Sequence, residues 1–389
     1  MAADGRISVF SVGDVFPDIP DGRASFAPLT PLFAKADIVF GNCEGVYSDR
    51  PAKAPSRKHF CGGPRVHGEF LGDVGFDVMS CANNHMIDGG YEGLADTLDV
   101  LRSQGVQTTG AGVDITEATR PAILERGGIR VAFLGFCSVF PVGYEARADR
   151  PGLAPLRVRT YYGDPDPNFW EPGIDPIIAT VPFADDLERF RETIAAARRD
   201  ADFVVVAPHW GYSSWMEVLQ DYELELARDA VDHGADAVMC CHHHSLRGVE
   251  IHRGKPIFYG LGTLIHHFTS IRISAADRAE REARFGGRSS FSGDEEFPLF
   301  PFRVDARKTG IALLELGADG TIETGFIPAH MVADGSTEPL RADDPRAAEV
   351  ADYVERLSAQ SGFSTRFARA EYDGWMLLKI DAAADGDAR

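Results

Sequence analysis

Ligand-type side chains recur along this chain in short clusters. Asp14 follows one apolar run, and Asn42 and Glu44 follow a second. Asn83, Asn84, His85 and Asp88 follow a third, His209 a fourth, and His242 and His244 a fifth. Carboxylate, amide oxygen and imidazole together suit the borderline-hard divalent ions Mn, Fe and Zn. In an extended segment alternate side chains share a face, so His242 and His244 can serve one centre while His243 points away. A carboxylate between two ions could bridge them, with Glu44 and Asp14 as candidates. Two such ions, about 3.5–4 Å apart, activate a water and polarise a phosphoryl or carbonyl group. Asp88 stands three residues after His85, where it could hold that imidazole in one tautomer for acid–base work.

Each residue has a plainer reading when taken singly. Asp14 could cap a turn or helix, Asn83 and Asn84 could be turn residues, and His209 could be a satisfied half-buried histidine. Cys240 and Cys241 read as small buried strand residues, because no other thiols lie at zinc-site spacing. The convergence of five clusters favours the metal reading. Arg57 and His59, in a Gly/Pro loop, could contact an anionic substrate, with Asn42, Asn83 and Trp210 also facing it. His266 and His267, after Tyr259-Gly-Leu-Gly, could line the pocket or bind metal.

The elements that must position these groups repeat a pattern. An Asp precedes a short apolar run at Asp37, Asp77, Asp202 and Asp236, and each run ends in a cluster; Ile7–Val12 does the same before Asp14. Continuous Val, Ile and Phe runs suit strands covered on both faces. Between them lie helical stripes: Leu94, Leu98 and Leu101 before Gly105, and Leu224, Ala227, Ala230 and Val231 before Gly234. Strand–helix alternation predicts a layered α/β fold, in which ligands bind beyond the carboxyl ends of the strands. Residues 160–182, rich in Pro and aromatics, and the polar stretch 268–300 read as loop insertions, the first able to act as a lid. Gly310–Leu316 and Ile322–Ile327 around Asp319-Gly320 predict a hairpin. A helix near Arg346–Ala359 and a strand near Trp375–Ile380 follow. The expected organisation is one domain over 1–340, a helix and strand packed on it over 341–380, and a disordered tail over 381–389.

The bulk numbers agree with a globular chain. Of 389 residues, 44% are hydrophobic and 25% charged. Net charge is −20, which argues against nucleic acid and anionic membranes as partners. It does not exclude an anionic substrate, because bound metal reverses the local field. No signal peptide or stretch of ~18 apolar residues is present, so the expectation is a cytoplasmic protein that does not enter membranes. The oligomeric state is left open. The six cysteines form no C-x-x-C pair and no disulfide framework.

In order, Gly13-Asp14, Gly41-Asn-Cys-Glu44-Gly, Ala82-Asn-Asn-His85-x-x-Asp88-x-Gly90, His209-Trp-Gly211, His242-x-His244 and Tyr259-Gly-Leu-Gly262 closely resemble the CapA family of capsule or poly-γ-glutamate biosynthesis proteins. The likeness spans about residues 6–335. It implies a four-layered α/β/β/α metallophosphoesterase-like sandwich. It also implies that Asp14, Glu44, Asn84, His209, His242 and His244 hold metal, and that His85 protonates a leaving group or steadies the transition state. This chain departs from the pattern in places. Metallophosphoesterases usually carry Asp-x-His in the first motif, whereas Asp14 is followed by Val15 and Phe16. Relatives usually read Gly-His-His-Pro-His where this chain has Cys240, Cys241, His242, His243 and His244, and Leu-Gly-Asn-Phe where it has Thr263. No membrane anchor of the kind common in polymer-assembly members is expected from these residues. The expected function is a metal-dependent hydrolase of a γ-glutamyl-type amide or a phosphoester, on a small or peptide-like substrate. The alternatives are a non-hydrolytic component of capsule or poly-γ-glutamate synthesis and an amide or ester tailoring enzyme of small metabolites.

Overall fold

The computed structural model describes residues 5–381, except 57–58, 167, 170, 213–216, 270–278, 281–282 and 284–293. It is a mixed α/β structure with two main sheets among the described residues. In the larger, ten-stranded sheet, Arg6–Phe16, Ile38–Cys43, Val78–Ser80 and Gln107–Thr109 run parallel in that order. On the other side of Arg6–Phe16 the sheet turns antiparallel through Lys308–Gly317, Ile322–Met331, Trp375–Asp381 and Arg366–Tyr372. The smaller, six-stranded sheet has a parallel centre of Lys255–Phe258, Ala237–Met239, Phe203–His209 and Ile129–Cys137. Val249–His252 and Ala122–Arg126 close its edges antiparallel.

Both parallel centres are built from the apolar runs seen in the sequence, and their side chains bury on both faces. Val9, Ile38, Phe40 and Val78 of the larger sheet share one core with Phe133, Val205, Met239 and Phe258 of the smaller. Within it the rings of Phe40 and Phe133 stack at 5.0 Å. The opposite face of the larger sheet (Phe10, Val12, Val39, Met79) packs on Leu94, Leu98 and Leu101, the stripe of helix Gly90–Ser103. The opposite face of the smaller sheet (Leu134, Val204, Val206, Val238) packs on Phe190 and Ile194 of Ala184–Asp200 and on Leu226, Ala227 and Ala230 of Asp221–Asp232. Each of the larger cores buries residues that would cost about 1.5–3 kcal/mol apiece to expose.

The predicted hairpin forms at Asp319-Gly320, with Lys308–Gly317 paired to Ile322–Met331. The helix Pro345–Gln360 buries Val350, Val354 and Leu357 in the core between the sheets. Trp375–Asp381 joins the larger sheet, and so does Arg366–Tyr372, a strand not anticipated because its alternating charges hide its pattern. Residues 160–182 are not a structureless loop. Val158–Gly163 and Ile177–Pro182 pair as an antiparallel ribbon that rests against the helix Asp221–Asp232. Tyr161, Tyr162, Ile177, Ile178 and Val181 are exposed along it. Most of 268–300, and the tail after Asp381, lie outside the described residues. No helix among the described residues is long and apolar enough to cross a membrane.

Candidate metal centre

Parallel strands end together, and here their carboxyl ends deliver the donors. Asp14 pairs in register with Asn42, and Asn42 with Ser80 just ahead of the Asn83–Asp88 turn. From the smaller sheet, His209 ends its strand and bridges to Cys241 immediately before His242. The site therefore lies where the ends of the two sheets meet. Asp14, Glu44 and Asn84 come from one side, and His209, His242 and His244 from the other.

Glu44, fully buried, stands at the middle. Its Oε1 is 3.5 Å from His209 Nε2. That same nitrogen lies 2.9 Å from Asn84 Oδ1 and 3.1 Å from His242 Nδ1. Two imidazole nitrogens at 3.1 Å can share only one proton or one cation. The other carboxylate oxygen, Oε2, is 3.6 Å from His244 Nδ1, which is itself 3.2 Å from Asp14 Oδ2. Glu44–His209–His242 and Asp14–Glu44–His244 each bring three ligand atoms within 4.8 Å of one another. Oxygen and imidazole donors converging from a buried shell fit divalent ions of the Mn, Fe or Zn kind. All six residues singled out as ligands in the sequence come together here.

His85 and Asp88 form a separate unit. His85 Nδ1 is 2.6 Å from Asp88 Oδ2, and His85 Nε2 is 3.7 Å from Cys61 Sγ. Asp88 also accepts from the Cys61 backbone N–H at 3.0 Å and from the Tyr144 hydroxyl at 3.3 Å. Burial and the Asp88 carboxylate push the Tyr144 phenol upward, so it stays a donor. The ring of His85 stands between carboxylate and thiol; the three side chains could hold an ion between them, and a carboxylate on Nδ1 is also how an acid–base histidine is oriented. Cys61 and Tyr144 carry no local sequence signal for this role.

The five residues expected to face a substrate are placed as follows. Trp210 does not face a substrate: it is fully buried against Tyr222 in the core beneath the smaller sheet. Its neighbour His209 takes the site-facing direction, and successive strand residues point opposite ways. Asn42 and Asn83 are almost wholly buried, and their amides serve the protein. Asn42 Nδ2 donates to Asp14 Oδ1 at 2.8 Å, and Asn83 Nδ2 donates to Cys43 O at 2.7 Å and Asn42 Oδ1 at 3.2 Å. His59 is half-buried with its ring 6.5 Å from Phe268. Arg57 lies outside the described residues.

His266 and His267 part company. His267 turns to Ser25 Oγ (3.4 Å) and Gly335 O (3.3 Å), and burial lowers it to about 4. His266 turns to the site, with Nε2 3.7 Å from Glu44 Oε2. Burial, with the imidazoles of His244 and His85 nearby, pushes it well below the ordinary histidine range. His243 points away from the centre as expected, its Nε2 meeting Glu223 Oε1 at 2.7 Å, but not through strand alternation: the segment is not extended, and His242 and His244 have φ of 96° and 54°. The six cysteines are all buried and none forms a disulfide.

Comparison with known proteins bears on this arrangement. The family described as "Bacterial capsule synthesis protein PGA_cap" matches residues 8–267. The PGA biosynthesis protein CapA of Bacillus subtilis is 30% identical over 301 residues, covering 76% of this chain and 71% of that one. A probable polyglutamine synthesis accessory protein of Mycobacterium tuberculosis is 33% identical over 52% of this chain, which spans about half (48%) of its length. The capsule biosynthesis protein CapA of Bacillus anthracis is 27% identical, covering 62% of this chain and 53% of that one. Among solved structures, one from Thermus thermophilus aligns over 66% of this chain and 89% of its own at 11% identity and a TM-score of 0.37, a likeness too slight to argue from.

Proposed function

We propose, from the premise that this chain belongs to the PGA_cap family of bacterial capsule synthesis proteins, that it is a metal-dependent hydrolase of a γ-glutamyl-type amide or a phosphoester. The observation that carries the reading is the buried convergence of Asp14, Glu44, Asn84, His209, His242 and His244, with Glu44 offering one oxygen to each of two donor groups. Divalent ions held there would supply Lewis acidity toward a scissile carbonyl or phosphoryl group and an acidified water. His85, oriented by Asp88, carries a proton at Nε2 to the leaving amine or alcohol. Asn42 fixes Asp14, and Asn83 fixes the backbone next to Glu44. The three successive apolar cores, helix on sheet, sheet on sheet and sheet on helix, support reading the fold as a four-layered α/β/β/α sandwich of the metallophosphoesterase kind.

Elemental analysis of purified protein tests this, paired with hydrolysis of γ-glutamyl amides and phosphoesters. The expected result is bound divalent metal and one active substrate class, both lost in His242→Ala. Protein that neither contains nor takes up divalent metal would overturn the reading. A second reading, a non-hydrolytic component of polymer synthesis, draws on the relatives' names, which speak of biosynthesis and an accessory role. Full biological function in His209→Ala would favour it.

A further inference from the structure

We infer that His266 is itself a metal ligand, completing a four-donor set with Asp14, Glu44 and His244; the inference rests on the dinuclear reading above. His209 Nε2 lies 3.5 Å from Glu44 Oε1 and is itself 2.9 Å from Asn84 Oδ1 and 3.1 Å from His242 Nδ1. On the other side His244 Nδ1 lies 3.6 Å from Oε2 and 3.2 Å from Asp14 Oδ2. His266 Nε2 lies 3.7 Å from the same Oε2, next to the 3.6 Å of His244. Ligand atoms about 2.0–2.2 Å from a shared ion stand roughly 3–3.6 Å apart, so both nitrogens sit at chelating distance after a small adjustment.

His266 is 1% exposed, and neither ring nitrogen has a hydrogen-bond partner among the described residues. A buried imidazole with both nitrogens unsatisfied is costly and calls for a missing partner. One face of its ring stacks on Phe268 at 3.8 Å and 12°, and Phe16 packs 5.2 Å away, so the ring is held in one plane. Phe16 stands two residues after Asp14 and has no donor atom to offer. The backbone explains how a histidine reaches this spot. Thr263–His266 runs parallel to Arg6–Phe16, but the register slips between Asp14 and Val15, pairing Asp14 with Thr263 and Phe16 with His266. A slip of one residue exchanges the faces of a strand. Thr263 stands beside Asp14 with its hydroxyl oxygen 3.1 Å from His244 Nδ1, and His266 comes to Glu44 three residues further along.

The test uses metal-free full-length protein titrated with Co²⁺, comparing wild type, His266→Leu and His266→Gln. Wild type is expected to bind two equivalents and to show four shifted exchangeable imidazole N–H resonances in the Co²⁺ form. His266→Leu is expected to lose one resonance and to bind one of the two ions at least ~10-fold more weakly, with the other unchanged. His266→Gln, which keeps a polar group in the cavity, guards against misfolding and should likewise lose the resonance. Variants with wild-type stoichiometry, affinity and resonance count would overturn the assignment while leaving the dinuclear reading intact. Wild type that binds no Co²⁺ would overturn both.

Discussion

At the scale of single residues, the proposed mechanism divides its labour between holding charge and moving protons. His85 pairs with Asp88 and stands next to Asn84, whose oxygen meets His209. Replacing His85 by Ala should therefore lower turnover by ~10²–10⁴-fold while leaving metal content unchanged. Asp88→Asn should lose part of the same factor, since an amide holds the ring but does not stabilise its charged form. Turnover with metal analysis on the same samples checks both. Equal loss of metal and turnover would show that His85 serves the ion instead.

At the scale of elements, two short segments are held in place by buried carboxylates. The helix Asp221–Asp232 presents Glu223 from its first turn, where Gln220 and Glu223 cap each other. Glu223 meets His243 between His242 and His244, which both take left-handed backbone conformations at φ 96° and 54°. Such conformations cost about 1–3 kcal/mol each and persist only when the surroundings impose them. Gly211 permits the contact: at φ +90°, a Cβ there would come within 2.1 Å of His243 Nε2. Glu223→Ala should destabilise the protein by about 3 kcal/mol, read by urea unfolding, because a buried imidazole loses its acceptor. Glu223→Gln should cost much less.

The second segment carries Tyr144 to Asp88. Glu145 accepts from the Gly143 N–H at 2.9 Å and from Arg147 and Arg150 at 2.8 Å each. Burial alone would raise this carboxyl, but the bonds from Arg147 and the backbone outweigh it and hold it at about 2 against an ordinary 4.5. A carboxyl lowered on folding contributes stability above its unfolded value and loses it as pH falls through the folded one. Unfolding midpoints should thus drop between pH 4.5 and about 2, and Glu145→Gln should flatten that limb.

For the whole molecule, the site is a junction between sheets, so the sheet-on-sheet core sets the distance between its halves. Phe133 is fully buried there and stacks on Phe40, two residues before Asn42. Phe133→Ala should cost ~3–5 kcal/mol of stability. It should also weaken metal binding without touching any ligand, as calorimetric titration can measure. Unchanged affinity would mean that the strand ends are held together by the loops alone.

The sequence by itself determined the kinds of donor, their order and their placement at strand ends, because apolar run length and the residue that follows it are local properties. It determined the helices Gly90–Ser103 and Asp221–Asp232 and the Asp319-Gly320 hairpin for the same reason. Tertiary structure decided how several of the other side chains face. Trp210 went to the core because the helix Asp221–Asp232 covers that face, and Asn42 and Asn83 were taken up by Asp14 and the Cys43 carbonyl. His266 reached Glu44, and His267 did not, through a one-residue slip against a strand about 250 positions earlier. Facing in a sheet depends on register with a distant partner, and no local pattern encodes a slip of one residue.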